Sequence, residues 1–156
     1  MTLDAMDWAL LAELQADARL SFSELSRRVH LSAPAVAERV RRLEETGVIT
    51  GYHAKIDPAL AGRPVSAVIR MNCYGPGCIL RDEAVMAWPE IQEVDRVTGD
   101  TCCILRVSTW SMAAFEELID RLARHGQPSS TMVLSTPVPW RPLSPGTPGM
   151  EPARGR

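Results

Sequence analysis

The amino-acid sequence predicts an α+β protein, in which an all-helical N-terminal part precedes a part where helices and strands alternate. Apolar residues recur at helical spacing after three capping positions, at Asp4, at Ser21 or Ser23, and at Ser32. Beyond residue 64, runs typical of strands and helices follow in the order β-α-β-β-α-β, the order of a ferredoxin-like unit. Proline and glycine residues at 57–64 interrupt the pattern and place the domain boundary there.

Capping residues define the first two helices. Asp4, with Asp7 three positions later, matches a capping box, and the first helix should end near Asp17. The second helix begins at Ser21 or Ser23 and carries two apolar residues four positions apart.

The third helix follows the second after a turn of three residues, His30-Leu31-Ser32. Ser32 caps this helix, and Pro34 lies in its first turn, where a missing N–H costs nothing. The helix runs to Thr46 and ends at Gly47. Two helices joined by so short a turn predict a helix-turn-helix, here winged-helix-like, whose second helix enters the major groove of double-stranded DNA.

A helical wheel divides the third helix into two faces. Val36, Val40 and Leu43 face the core, so Arg41 and Arg42 should project from the opposite face with no protein to touch. The small first-turn residues allow close approach to bases, and the arginines suit phosphates or guanine. The predicted DNA contacts are Arg27, Arg28, Ser32, Ala33, Pro34, Ala35, Glu38, Arg39, Arg41 and Arg42. Arg39 fits a structural role as well as it fits DNA contact. For all the charged residues of this set, the alternative is a helix face that is simply exposed to solvent.

The predicted elements of the second part follow from period-two runs, turn residues and one further helical face. They are strands at 48–56, 65–73, 91–98, 101–108 and 130–138, and helices at 78–88 and 111–125. The predicted domains are 1–50 (helix-turn-helix), 51–64 (linker strand and hinge), 65–138 (βαββαβ) and 139–156 (tail). The tail is rich in proline and glycine, so we expect it to be disordered, with Trp140 packed down.

Composition narrows the classes of function. The net charge of −2 requires any DNA affinity to come from a local basic patch. The sequence has neither an apolar run of membrane-spanning length nor a secretory signal, so we expect a cytoplasmic, nucleoid-associated protein without a membrane partner. The four cysteines lack zinc-site spacing and are expected to be reduced thiols, and no cofactor, metal site or catalytic residue is predicted.

Several motifs run along the chain at fixed spacing. They are Leu3-Asp4-x-x-Asp7, Leu10-Leu11-x-x-Leu14-Gln15, Glu24-Leu25, Leu31-Ser32, Arg39-Val40, Leu43-Glu44 and Gly47-Val48-Ile49. This set resembles the Lrp/AsnC (feast/famine) family of transcription regulators, up to about Leu134. The resemblance implies a sequence-specific DNA-binding regulator modulated by a small molecule, an amino acid or a related metabolite, that binds between dimers. It also implies self-association as a dimer and further as a tetramer or octamer.

The resemblance also implies where the effector binds. The matching positions are Val97, Thr98, Gly99, Asp100, Thr101, Cys102, Ser129, Ser130 and Thr131. Turn N–H groups there suit a carboxylate, and an acidic side chain suits an ammonium group. The family has a second acid where this chain has Cys102, and a thiol is no ammonium partner at neutral pH. Three interpretations of this difference remain open. The ligand is less polar, Asp100 is the ammonium partner instead, or the hairpin binds no ligand.

Two other functions remain as alternatives. One is an architectural protein that bridges DNA without an effector, which the departure at Cys102 favours. The other, also suggested by the resemblance, is a siroheme decarboxylase-like enzyme of AsnC-like fold. Such an enzyme uses histidines in its C-terminal domain, where this chain has only His125. We therefore predict that the protein is not an enzyme.

Overall fold

The computed structural model describes residues 2–146, which fall into two compact units. The first unit is Met1–Ala54 with the segment from Val138, and the second is Lys55–Pro137. The helices are α1 (Ala5–Ala16), α2 (Phe22–Val29), α3 (Ala33–Glu45), α4 (Glu83–Met86) and α5 (Met112–Ala123). The strands are β1 (Val65–Cys73), β2 (Ile91–Arg96), β3 (Cys103–Thr109) and β4 (Gly126–Met132). No helix within residues 2–146 is long and apolar enough to cross a membrane.

The caps predicted for the first three helices are confirmed. Asp4 and Asp7 form a reciprocal capping box: the Asp7 N–H donates to Asp4 Oδ1 at 2.8 Å, and the Asp4 N–H to Asp7 Oδ2 at 3.1 Å. Ser21 forms the same box with Glu24, and Ser32 accepts from an N–H in the first turn of α3. Each cap satisfies backbone donors that the helix itself leaves unpaired, which fixes where each helix begins.

The chain changes direction between α2 and α3 at His30. This residue adopts the left-handed conformation (φ 55°), and its N–H closes the last turn of α2 on the carbonyl of Ser26. The helix α3 begins three residues later, at Ala33. Gly47 ends α3 with φ 72°, a backbone angle that glycine adopts without a Cβ penalty. The structure thus confirms the helix-turn-helix.

Six buried side chains form the core of the first unit, and they come from all three helices. They are Leu10, Leu14, Leu25, Val29, Val36 and Val40. The last two lie on the α3 face that the helical wheel assigns to the core, and Leu43 of the same face is also fully buried.

A buried carboxylate joins α1 to α3. The side chain of Asp7 is only 1% exposed, and its oxygens accept from Arg39 Nη1 at 2.7 Å and from Arg42 Nη2 at 2.8 and 2.9 Å. Arg39 Nη1 also donates to Asp4 at 2.7 Å, and this bond is the main reason that the pKa of Asp4 is lowered. The prediction that Arg42 touches no other part of the protein is therefore wrong. The helical wheel describes α3 alone and cannot show that α1 supplies a partner.

The second unit is a four-stranded antiparallel sheet in the order β2-β3-β1-β4, with α5 against one face. Its core places Ala67, Ile69 and Met71 of β1 against Leu118 and Leu122 of α5. Alternate residues of β1 therefore point to the opposite face of the sheet. The order and pairing are those of the predicted βαββαβ unit.

The predicted helix over Cys78–Trp88 is wrong. In its place are one 3-10 turn, Ile79–Arg81, and the single-turn helix α4; a second 3-10 turn, Gly75–Gly77, comes just before them. Asp82 causes the break: its carboxylate accepts from the N–H groups of Ala84 and Val85 and so begins a new helix.

Two strand predictions also differ from the structure. The segment 48–56 forms neither a strand nor a wing within the described residues, because no neighbouring strand pairs with it there. The last strand begins at Gly126 instead of Ser130. An added Cβ at Gly126 would collide with the carbonyl of Asn72, so glycine lets β4 start directly beside β1.

The start of the tail is described and the rest is not. Residues 139–146 have no regular secondary structure, but the side-chain amide of Gln15 exchanges two hydrogen bonds with the backbone of Leu143, at 2.9 and 2.8 Å. Trp140 is 61% exposed, so the expectation that it packs down is wrong. The disorder predicted for 147–156 lies outside the described residues.

We expect Asp7→Asn to lower the free energy of unfolding of the N-terminal unit by about 2–3 kcal/mol. The change removes a buried charge that pairs with two arginines, and the partial exposure of both reduces the usual cost of such a loss. Urea unfolding followed by helical circular dichroism measures the effect. Asp17→Asn, an exposed acid at the other end of α1, should change stability by less than about 0.5 kcal/mol. Equal midpoints for the two variants would contradict this role for Asp7.

Candidate functional site

The first turn of α3 presents small side chains. Ser32 and Pro34 are exposed, while Ala33 and Ala35 are half-buried against the domain. No long side chain projects from this turn, so a second molecule can approach its backbone closely. The N-terminal end of the helix also carries partial positive charge, which favours an anion.

The five arginines of α2 and α3 fall into two groups. Arg39 and Arg42 are held by Asp7, as described above. Arg27, Arg28 and Arg41 lie on the exposed surface of the two helices. Only the second group is therefore available to contact a polyanion without breaking a buried ion pair.

Two of the available arginines pair with acids that are exposed or half-buried. Arg41 donates to Glu38 at 2.6 Å and to Glu45 at 3.4 Å, and all three side chains are 60–67% exposed. Arg28 donates to Glu13 at 2.7 Å. Such surface pairs contribute little to stability, so a phosphate can replace the carboxylate at small cost.

The predicted β2–β3 hairpin is present, and an open cavity lies beside it. The loop closes with a hydrogen bond from the Val97 N–H to the Cys102 carbonyl at 3.3 Å, and Gly99 takes φ 99°. The cavity has a volume of about 550 Å³. Its lining comprises Cys73, Gly75, Cys78, Leu80, Arg81, Arg96, Val97, Gly99, Thr101 and Cys102.

The structure brings together part of the predicted effector set. Val97, Gly99, Thr101 and Cys102 line the cavity, whereas Thr98 and Asp100 are exposed and do not line it. Residues 129–131 lie on β4, which β1 separates from β3. Two strand spacings, roughly 10 Å, therefore separate them from the hairpin strand within one chain.

Sequence reasoning missed two cations and two thiols of this cavity. Arg81 and Arg96 give it positive charge, and Cys73 and Cys78 add two sulfurs beside Cys102. The antiparallel pairing of β1 with β3, expected for a ferredoxin-like unit, is the feature that could have identified the two thiols. It aligns Met71 with Cys103 and so places the end of β1 beside the hairpin.

The thiols near the cavity differ in acidity. Burial, and next the hydrogen bond with Cys78, raise the pKa of Cys73 to about 12. Burial likewise raises the pKa of Cys103 to about 11. Burial also opposes ionisation of Cys78, but hydrogen bonds from Cys73 and from the Leu80 backbone outweigh it and lower the pKa of Cys78 below its usual value. Cys78 is therefore the easiest of these three thiols to ionise.

Both parts of the chain match models of one protein family. Residues 3–44 match the AsnC-type helix-turn-helix domain, and residues 81–143 match the Lrp/AsnC ligand binding domain. This chain belongs to the Lrp/AsnC family. It is a helix-turn-helix transcriptional regulator of that type, as the resemblance predicted.

The family relatives cover most of the chain. The HTH-type transcriptional regulator LrpC of Bacillus subtilis is 32% identical over 86% of this chain and 94% of its own length. The solved structure of that protein superposes with a TM-score of 0.82, over 87% of this chain and 97% of that one. A feast or famine regulatory protein from Mycobacterium tuberculosis, solved in complex with L-methionine, is 35% identical, with a TM-score of 0.83 over 92% of this chain and 100% of that one.

Proposed function

We propose that this regulator binds duplex DNA through the exposed first turn of α3 and the arginines around it. The observation that carries the proposal is the bare first turn, residues 32–35, next to Arg27, Arg28 and Arg41 on a confirmed helix-turn-helix. Small side chains let α3 approach base edges, and the arginines reach phosphates on either side. Glu38, beside Arg41, is placed to accept from a cytosine amino group.

Arg39 and Arg42 have a different role in this proposal. Both guanidinium groups remain on Asp7 and hold α3 against α1, so they position the reading helix and do not read DNA. The DNA-contacting set is therefore smaller than the sequence predicts. It keeps the small first turn, Glu38 and the three arginines that lack a buried partner.

We infer that the cavity beside the β2–β3 hairpin takes a small-molecule effector that carries a carboxylate. Arg81 and Arg96 line the cavity and supply the complementary charge. The methionine complex of the mycobacterial relative supports an amino acid as the class of ligand. Asp100 is exposed and does not line the cavity, but it is the one acid in the predicted effector set and so the candidate partner for an ammonium group.

We further propose that the chain self-associates through the sheet face opposite α5, first as a dimer and then as a tetramer or octamer. Val68 and Ile104 point to that face and are half-buried, beside the cross-strand partners Arg70 and Arg106. A sheet covered on one face by a helix and carrying aliphatic side chains on the other suits a self-complementary contact.

The architectural alternative rests on Cys102, which replaces the family's acid in the effector region. It predicts DNA binding that no small molecule alters. The enzyme alternative has less support, because the relatives are named as regulators and His125 packs edge-on against Trp88, with ring centroids 6.3 Å apart.

Removing Arg27 and Arg41 together should flatten the salt dependence of DNA binding. Each lost phosphate contact lowers the slope of log affinity against log salt by about one. The measurement is a fluorescence-anisotropy salt series on a random-sequence duplex, since phosphate contacts do not require an operator. Arg124→Ala is the control, because Arg124 is also exposed but lies at the end of α5 in the second unit, outside every proposed site. A slope unchanged by the double substitution would refute the proposed surface.

An amino-acid effector should stabilise the protein against thermal unfolding, and Arg96→Gln should reduce that stabilisation. A ligand at one hundred times its Kd adds about 2.7 kcal/mol to the folded state. The measurement is a thermal-shift series with L-methionine and the other amino acids, with Arg124→Gln as the control, because Arg124 is exposed and does not line the cavity. If no amino acid shifts the unfolding temperature, the architectural alternative is favoured. An equal shift in wild type and Arg96→Gln would exclude this cavity as the site.

Val68→Glu should lower the assembly size, because it places a charge in the proposed interface, where the cost of desolvation exceeds the gain from pairing with Arg106 on the neighbouring strand. Light scattering coupled to size exclusion measures the mass of the assembly. Ala113→Glu, on the exposed side of α5, is the control and should assemble like wild type. A wild-type protein that runs as a single chain, or a Val68→Glu protein of unchanged mass, would contradict the interface.

A further inference from the structure

Three of the four cysteines converge at the cavity in the second unit. The Sγ atoms of Cys73, Cys78 and Cys102 all lie within 4.8 Å of one another. The three side chains are half-buried, and all three line the same cavity. The fourth thiol, that of Cys103, is fully buried in the core against α5 instead.

The backbone holds the three thiols in place. Cys73 is the last residue of β1, and Cys102 immediately precedes β3. The Cys102 N–H donates to the Met71 carbonyl at 2.8 Å, and the Cys73 N–H donates to the Cys102 sulfur at 3.4 Å. Cys78 stands between the two 3-10 turns that follow β1. Sheet pairing and a tight turn therefore determine where the sulfurs lie.

The spacing of the sulfurs suits a bound metal ion. A zinc–sulfur bond of about 2.3 Å places tetrahedral ligand sulfurs about 3.8 Å apart and trigonal ones about 4.0 Å apart. The observed separations reach those values with side-chain shifts of less than about 1 Å. We propose that Cys73, Cys78 and Cys102 bind one thiophilic d10 cation, Zn²⁺ or Cu⁺, as three thiolate ligands.

The chemistry of the site narrows the choice of ion. Three sulfur ligands select soft or borderline cations and reject Mg²⁺ and Ca²⁺, which require oxygen ligands. Within residues 2–146, no fourth Cys, His, Asp or Glu joins the group. Cu⁺ is satisfied by three sulfurs, whereas Zn²⁺ keeps a fourth position for water or an added ligand. Arg81 and Arg96 line the same cavity and offset the surplus negative charge of three thiolates.

A metal at this site also bears on regulation, a consequence that rests on the proposed function. Cys102 and the hairpin belong to the region predicted to bind the effector, so a bound ion occupies the proposed effector cavity. The thiol of Cys102, which stands where the family has an acid, would then serve this chain as a metal ligand. The binding claim itself requires neither DNA nor an amino acid.

The test is metal titration of the reduced, full-length protein under anaerobic conditions. Zn²⁺ and Cu⁺ are each titrated in competition with a chromophoric chelator, and Cd²⁺ reports sulfur ligation through its thiolate charge-transfer band. We expect one ion per chain. Cys73→Ala, Cys78→Ala and Cys102→Ala should each weaken binding at least about tenfold, since even the loss of an outer-sphere partner costs about 10–100-fold.

Cys103→Ala is the matched control, and it should bind the metal like wild type. Circular dichroism melts confirm that each variant is folded before its titration counts. The proposal is overturned if the reduced protein binds neither ion, if the three single variants bind like wild type, or if the thiols only form a disulfide in air. DNA affinity of the metal-free protein, measured in parallel, separates the two claims: intact DNA binding without metal binding overturns this inference alone.

Discussion

The DNA-binding unit depends on the carboxylate of Asp7. One side chain completes the cap of α1 and accepts hydrogen bonds from two arginines of α3, so the start of one helix and the docking of another share a single buried charge. Because that charge is 1% exposed, its pairing with Arg39 and Arg42 is needed to offset the cost of burial. The orientation of α3, and with it the position of the bare first turn, follows from this contact.

The same contact divides the arginines by role. Two of them neutralise Asp7 and hold the helix, and three remain on the surface in weak pairs or without a buried partner. A chain with a net charge of −2 thus keeps three arginines on the exposed surface of one pair of helices. In the second unit, sheet order has a comparable effect: β1 and β3 are neighbours, so the end of one and the start of the other bring thiols and arginines to one cavity.

Local signals in the sequence predicted the local structure well. The capping residues, Pro34 and Gly47 predicted the positions of α1 to α3, and alternation predicted both ends of β1, because these features act within a few positions. Prediction failed where a competing or distant group decided the outcome. Asp82 broke a helix that apolar periodicity favoured, and the segment 48–56 lacked a strand to pair with.

The site was harder to predict than the fold. The wheel placed Arg42 on an open face because it contains no information about α1, 35 residues away. The cysteine cluster escaped a search for short metal motifs, because Cys102 reaches Cys73 only through sheet pairing across 29 positions. Family resemblance also assigns residues 129–131 to the effector site. They lie on β4 and do not line the cavity within one chain, so their role stays a prediction.

The most direct measurement is a structure of the protein bound to duplex DNA. We predict that the first turn of α3 lies in the major groove, that Arg41 has left Glu38 for a phosphate or a guanine, and that Arg42 remains within hydrogen-bonding distance of Asp7. A complex in which Arg42 leaves Asp7 to contact DNA, or in which α3 lies away from the groove, would contradict the account.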